Sequence, residues 1–314
     1  MAFLREFGAY VPPCIVNNEV LAARLSVTPE WILDVSGIEE RRIANPDESV
    51  ADMGVAAAND CLARAGLSAD QLGMIVVASG THERCFPGPA CSIAARLGLK
   101  QTPAVDIPMA SAGALFGMSL ASRLAAIYGH ILVVASEKMS AIAMREPLDR
   151  NVAILFGDGA GACLLSEDSG PVRVVDSVLH TDGNFAGDLR LSHDGWLEMN
   201  GRSVIMQASR KIPAGINEIL DRNRVQASEV EIFLMHQANQ NLIDKMARTL
   251  NVPTRKFFSN IARYGNTSSA SMLIAAAEWW RGNQPAPGAD ICFAGFGAGF
   301  HWGAASRRMG VATA

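Results

Sequence analysis

The sequence has no CxxC pair; its six cysteines, at 14, 61, 85, 91, 163 and 292, are scattered along 314 residues. Scattered thiols in a large, otherwise ordinary chain argue against a disulfide framework or a zinc site, and for reduced, buried side chains. No run of lysine and arginine is longer than two, and the net charge is -4, which speaks against a nucleic-acid surface. No stretch approaches the roughly 18 uninterrupted apolar residues of a membrane span. The opening MAFLREFGAYVPP lacks the long apolar core of a secretory signal, so the expected location is the cytoplasm.

What is present is apolar. Hydrophobic residues make up 49% and charged residues 18%, enough for a large buried core in one large domain or two ordinary ones. Short continuous apolar runs (GMIVVASG, HILVVASE, EIFLMHQA, DICFAGFG) read as strands buried on both faces. Between them, ACSIAARLGL, SAGALFGMSLASRLAAIYG, NLIDKMARTLNV and SSASMLIAAAEWWRG carry a helical period and end at Gly or Asn. This alternation predicts an α/β fold with mostly parallel strands.

The pattern is written twice. LSADQLGMIVVASG (67–80) aligns without a gap to VQASEVEIFLMHQA (225–238), and PAVDIPMASAGALFGM (103–118) corresponds to FFSNIARYGNTSSASM (257–272). Two halves are expected, 1–165 and 166–314, with the polar, Gly/Asp-rich 166–200 as the crossover. GDGAGA (157–162) runs into an apolar strand rather than from a strand into a helix, so it is not a dinucleotide fingerprint. It reads as close packing at a subunit or domain seam.

In open α/β sheets, chemistry gathers at the carboxyl ends of strands. Thr81-His82 and Ser111 fall there in the first half; His236, Asn266 and the loop 295–299 do so in the second. Taken singly, each has an ordinary explanation. Ser111 suits a helix N-cap, His236 a satisfied core histidine, and Asn266 a turn or cap. A helix N-terminus also favours negative charge, and GFGAGFHWG (295–303) offers backbone N–H groups to an oxyanion. Three capable side chains and a glycine loop at equivalent strand ends make one site the better reading.

HQAN (236–239), YGNTSSAS (264–271), FGDGAGA (156–162), GIEERRIA (37–44) and GFGAGFHWG, in this order over nearly the whole chain, resemble ketoacyl-ACP synthase III. The resemblance implies a homodimeric thiolase-like fold, two α/β halves with mixed central sheets in αβαβα layers. It implies a Cys-His-Asn triad that takes an acyl group from acyl-CoA and condenses it with malonyl-ACP, with no permanent cofactor and no metal. His236 and Asn266 match that histidine and asparagine, and Ser111 stands where the cysteine would be. Trp31 matches an adenine-stacking tryptophan, Arg150 a CoA-contacting arginine, and Asn239 an asparagine beside the pantetheine arm. Phe86 resembles the residue that enters the partner's acyl pocket, and Phe296 the phenylalanine beside the triad. Backbone N–H groups of Ser111 and Ala298 would hold the oxyanion. Val35, Asn241 and Met206 stand where the family carries basic residues, which weakens the inference that malonyl-ACP of fatty-acid synthesis is the partner and fits a specialised relative in secondary metabolism.

Serine changes the chemistry. A thiol with pKa about 8.5 ionises readily at such a site. A hydroxyl does not, so Ser111 calls for His236 as general base. Either serine is native to a branch using it for acyl transfer, or it is a Cys→Ser replacement. Two alternatives to condensation remain: passing the acyl group to an alcohol or amine, and a non-catalytic partner subunit. An intact His236 and Asn266 argue against the last.

Overall fold

The computed structural model describes residues 2–283 and 285–309. Nine strands carry the architecture: β1 (Phe3–Tyr10), β2 (Leu72–Ala78), β3 (Ala104–Ile107), β4 (His130–Lys138), β5 (Asp158–Ser166), β6 (Val172–Thr181), β7 (Ile232–Met235), β8 (Asp290–Gly297) and β9 (His301–Met309). They hydrogen-bond in the order β7-β8-β9-β6-β1-β5-β4-β2-β3. The doubling in the sequence returns as pairing. β2–β4 is parallel, and β4–β5 and β5–β1 are antiparallel. Correspondingly, β7–β8 is parallel, and β8–β9 and β9–β6 are antiparallel. The parallel β2–β3 pair is echoed by a single parallel bridge, Phe233 to Phe257. The two sets join through two residue pairs of β1 and β6, Phe3 with Arg173 and Leu4 with Val172.

The layering follows from side-chain alternation. Helices α1 (Val50–Ala65), α2 (Pro89–Arg96), α3 (Gly113–Tyr128), α4 (Gly201–Arg222), α5 (Gln240–Thr249) and α6 (Ser271–Gly282) supply the helical layers. Along β5, Ala160, Ala162 and Leu164 pack with α1, while Cys163 and Leu165 face the core shared with α3 and α6. Along β8, Cys292, Ala294 and Phe296 pack with α4 and α5, while Ile291 and Phe293 turn to that same central core. Strand side chains alternate faces with period two, so both strands are covered on both sides. The result is the expected α/β/α/β/α layering, with α3 and α6 as the middle layer. A Cβ on Gly161 would sit 2.5 Å from Leu273 Cβ, so GDGAGA is where α6 packs closely against β5.

Two expectations need correction. The crossover 166–200 contains β6 and a short hairpin, Leu189–Leu191 with Leu197–Met199; its polar composition reflects partly exposed strands. Of the cysteines, Cys61, Cys163 and Cys292 are buried, but Cys14, Cys85 and Cys91 are exposed. Among the described residues, no helix is long and apolar enough to cross a membrane.

Candidate active site

Ser111, His236, Asn266, Asn239, Phe296 and Ala298 line one mostly apolar cavity of about 130 Å³. Ser111 is not a helix cap. α3 begins at Gly113 with Ala112 in the cap position, and Ser111 lies just before it at φ +63°. A non-glycine residue in the left-handed region carries roughly 1–3 kcal/mol of strain and persists only where its surroundings hold it. The surroundings are visible. A Cβ on Gly297 would meet Ala110 O at 2.1 Å and Ala112 N at 2.6 Å, so only glycine lets the 295–299 loop lie flat on the Ser111 turn.

The Ser111 amide, expected at an oxyanion, instead donates to Ser268 Oγ at 3.0 Å. The Ser111 hydroxyl lies 3.5 Å from the same oxygen. Ser268 Oγ in turn donates to Glu137 Oε1 at 2.9 Å. Glu137 is fully buried at the end of β4 and also accepts from Thr81 Oγ1 (2.7 Å), Gly80 N (3.0 Å) and Ser269 N (3.2 Å). Burial pushes its carboxyl pKa up, against the pull of these donors.

His236 follows β7 and is 2% exposed, with the Phe296 ring edge-on at 5.3 Å. Its Nδ1 lies 2.7 Å from Ser271 Oγ, which also accepts the Gln237 N–H at 3.0 Å. Ser271 is itself buried, and among the described residues its O–H has no other acceptor. A buried hydroxyl proton needs a partner, so we assign Ser271 as donor to Nδ1 and the ring proton to Nε2; the Ser268 backbone carbonyl also faces the ring and favours its N–H. This tautomer suits His236 as a hydrogen-bond donor and not as the base expected for Ser111. Burial lowers the His236 pKa to about 3, so the ring is neutral at ordinary pH.

That burial has a measurable consequence. In the unfolded chain the ring protonates below about 6.5, but in the folded protein only near 3. The folded-state pKa is depressed, so stability is lost as pH falls below 6.5. His236→Gln removes this dependence. Relative to the parent, the variant should gain about 2 kcal/mol between pH 7 and pH 5, read by chemical denaturation at both pH values. A constant gap would mean that His236 is hydrated or already protonated.

Asn266 is held by the first half of the chain. It pairs with Phe156, its N–H donating to Leu155 O at 2.9 Å and its C=O accepting from Gly157 N at 3.1 Å. Arg41, from GIEERRIA, braces this segment by donating to Ile154 O at 2.8 Å. A Cβ on Gly157 would meet Tyr264 O at 2.3 Å. FGDG and GIEERRIA therefore serve the site by fixing Asn266. Its Oδ1 accepts the Ser268 N–H at 2.9 Å, which leaves the side-chain NH₂ as the available donor.

The remaining candidates divide. Asn239 caps α5, accepting from Asn241 N at 2.9 Å and donating to Val35 O at 2.8 Å. Arg150 lies over the Trp31 ring at 5.8 Å and lines a separate polar cavity with Arg24 and Asp149. Phe86 is 86% exposed and does not line the cavity of its own chain. Val35 and Met206 are exposed, and Asn241 donates to Asp34 O. Sequence reasoning missed Glu137, which stands behind Ser268, and missed Ser268 and the hairpin residues Leu189, Arg190 and Leu191, which line the cavity. An acidic residue closing the otherwise apolar HILVVASE was the signal for Glu137.

The chain is similar to known proteins over nearly its whole length. Residues 105–183 match the family model described as 3-oxoacyl-[acyl-carrier-protein] synthase III, and residues 220–309 match its C-terminal model. A β-ketoacyl-[acyl-carrier-protein] synthase III of Oleidesulfovibrio alaskensis is 35% identical, covering 96% of this chain and 97% of the relative. One from Bacillus cereus is 36% identical, with 96% and 97% covered. The crystal structure of 3-oxoacyl-[acyl-carrier-protein] synthase III from Aquifex aeolicus superposes with a TM-score of 0.94 at 32% identity, covering 98% of this chain and 100% of the other. The priming β-ketosynthase of the R1128 polyketide pathway gives 0.91 at 30% identity, with 99% and 96% covered.

Proposed function

We propose a function on one premise: the chain belongs to the 3-oxoacyl-[acyl-carrier-protein] synthase III family, and is therefore an acyltransferase of the condensing kind. Ser111 Oγ takes an acyl group from an acyl-CoA. A malonyl thioester then enters, loses CO₂, and its enolate carbon displaces Ser111 from the ester. Thioester to oxygen ester is downhill, so loading is favourable and release is the harder half.

The observation that carries this reading is the pair of donors facing one cavity. His236 carries its proton on Nε2, and Asn266 keeps its NH₂ free because Oδ1 is occupied. Two neutral donors in a dry site stabilise the oxygen of a developing enolate. Passing an acyl group to an alcohol or amine forms no enolate for them to hold. Ala298 supplies the N–H for the tetrahedral oxyanion, since the Ser111 amide is engaged with Ser268. The nucleotide end of coenzyme A lies by Trp31 and Arg150, and Asn239 marks the path of its arm. CO₂ release from malonyl-CoA or malonyl-ACP in the presence of acyl-CoA tests the reading; transfer without CO₂ would favour the alcohol or amine acceptor.

Phe86 supports a homodimer. A phenylalanine 86% exposed in THERCFPGPACS is an apolar surface that a second copy would cover, bringing the ring to the partner's acyl tunnel. Light scattering at micromolar concentration should give twice the 33.4 kDa chain mass; a monomer would count against it.

A further inference from the structure

Ser111 needs a proton acceptor, and with the tautomer assigned above the His236 nitrogen left for the cavity is a donor. With Ser271 donating to Nδ1, the His236 Nε2 already holds a proton. The other polar group beside the Ser111 hydroxyl is Ser268 Oγ, at 3.5 Å, and behind it stands Glu137 at 2.9 Å. Ser268 is 1% exposed, in the left-handed region at φ +49°, and pinned by Asn266 Oδ1 on its N–H. Glu137 has no cationic partner among the described residues; its carboxylate rests on hydroxyl and amide donors alone.

Building on the nucleophile assignment above, we propose that Ser268 and Glu137 form a proton relay that deprotonates Ser111 during acyl loading and reprotonates it during release. In loading, Ser111 Oγ bonds to the thioester carbonyl carbon. Its proton passes to Ser268 Oγ as the Ser268 proton passes to Glu137 Oε1. The carbonyl electron pair moves onto oxygen and returns as the C–S bond breaks; coenzyme A leaves as a thiolate and takes its proton from solvent. In release, the enolate carbon attacks the ester, the bond to Ser111 Oγ breaks, and the proton stored on Glu137 returns through Ser268 to the departing alkoxide. One solvent proton is consumed overall, by the thiolate. Burial raises the proton affinity of Glu137, which suits an acceptor, and Thr81 and Gly80 hold its other oxygen fixed. An alkoxide is a far poorer leaving group than a thiolate, so the relay matters to serine in both halves. Glu137 acts through Ser268 and is a positioning residue.

The test must separate a relay from a merely structural carboxylate. Glu137→Gln is made in the parent and in a Ser111→Cys background, and acylation by one acyl-CoA is timed by intact-protein mass. A thiol reaches its reactive anion without a strong base, whereas a hydroxyl depends on one, typically worth about 100-fold or more. Glu137→Gln should slow loading about 100-fold in the serine protein, and by at least about tenfold less in the cysteine protein. Equal losses would overturn the relay. Fluorophosphonate labelling of Ser111 gives a second measure that needs no thioester. Glu137→Gln and Ser268→Ala should slow it more than His236→Gln; the reverse order would make His236 the base and overturn the proposal. A Ser111→Ala protein that still acylates would instead sink the nucleophile assignment beneath it.

Discussion

Ser111→Ala should form no acyl-enzyme with any acyl-CoA that labels the parent. The hydroxyl is the proposed nucleophile at the turn where α3, the glycine loop and Ser268 converge, and its backbone is held at φ +63° for no capping purpose. Losing a covalent nucleophile removes the intermediate itself, so the expected effect is complete loss of the mass shift. Ser111→Cys then decides what serine is. The first turn of α3 offers the partial positive charge of a helix N-terminus, which would lower a thiol's pKa from about 8.5. A rise in loading by orders of magnitude would identify serine as a replacement in a pocket shaped for sulfur. A change within about tenfold would identify it as the working nucleophile, served by a base that a thiol does not need. Full labelling of the alanine variant would show that acyl groups are carried elsewhere.

Asn266→Asp should uncouple the two halves of the reaction. The aspartate keeps an oxygen for the Ser268 N–H, now accepted by Asn266 Oδ1 at 2.9 Å, and keeps the backbone pairing with Phe156. It replaces the free NH₂ by an acceptor, which repels both the malonyl carboxylate and the enolate oxygen. Removing one donor from such a site typically lowers turnover by about 10²–10³. CO₂ release should fall by that order, while acyl-enzyme formation from acyl-CoA should change only a few-fold. If both steps fall together, Asn266 is a structural anchor of the 266–269 turn. If neither falls, the enolate is held by other groups.

How much of this was written in the sequence can be followed residue by residue. The doubled fold was legible because strands buried on both faces need unbroken apolar runs, and those runs recur in both halves. HQAN and the glycine loop located His236 and Ala298 because each follows or ends such a strand, and strand ends of an open α/β sheet converge; Asn266 instead follows a short helix, Ile261–Tyr264, and only the resemblance of YGNTSSAS pointed to it. The cavity does contain Ser111, His236 and Asn266 together. The service role of FGDG and GIEERRIA was not legible: Gly157 and Arg41 act on Asn266 through backbone contacts across more than 100 residues of chain.

The proton logic of the site came only from the tertiary structure. Which ring nitrogen of His236 carries hydrogen depends on Ser271, thirty-five residues away and brought alongside by α6. Whether Ser111 is a helix cap or a strained turn residue depends on one backbone angle. Whether the Ser111 amide is free depends on Ser268, 157 residues distant. Glu137 looked like the polar end of a strand until the fold buried it and set Ser268 between it and Ser111. A sequence determines which groups exist and, through periodicity, which elements carry them. Hydrogen-bond direction and desolvation belong to pairs of groups, and pairs across the core exist only once the chain has folded.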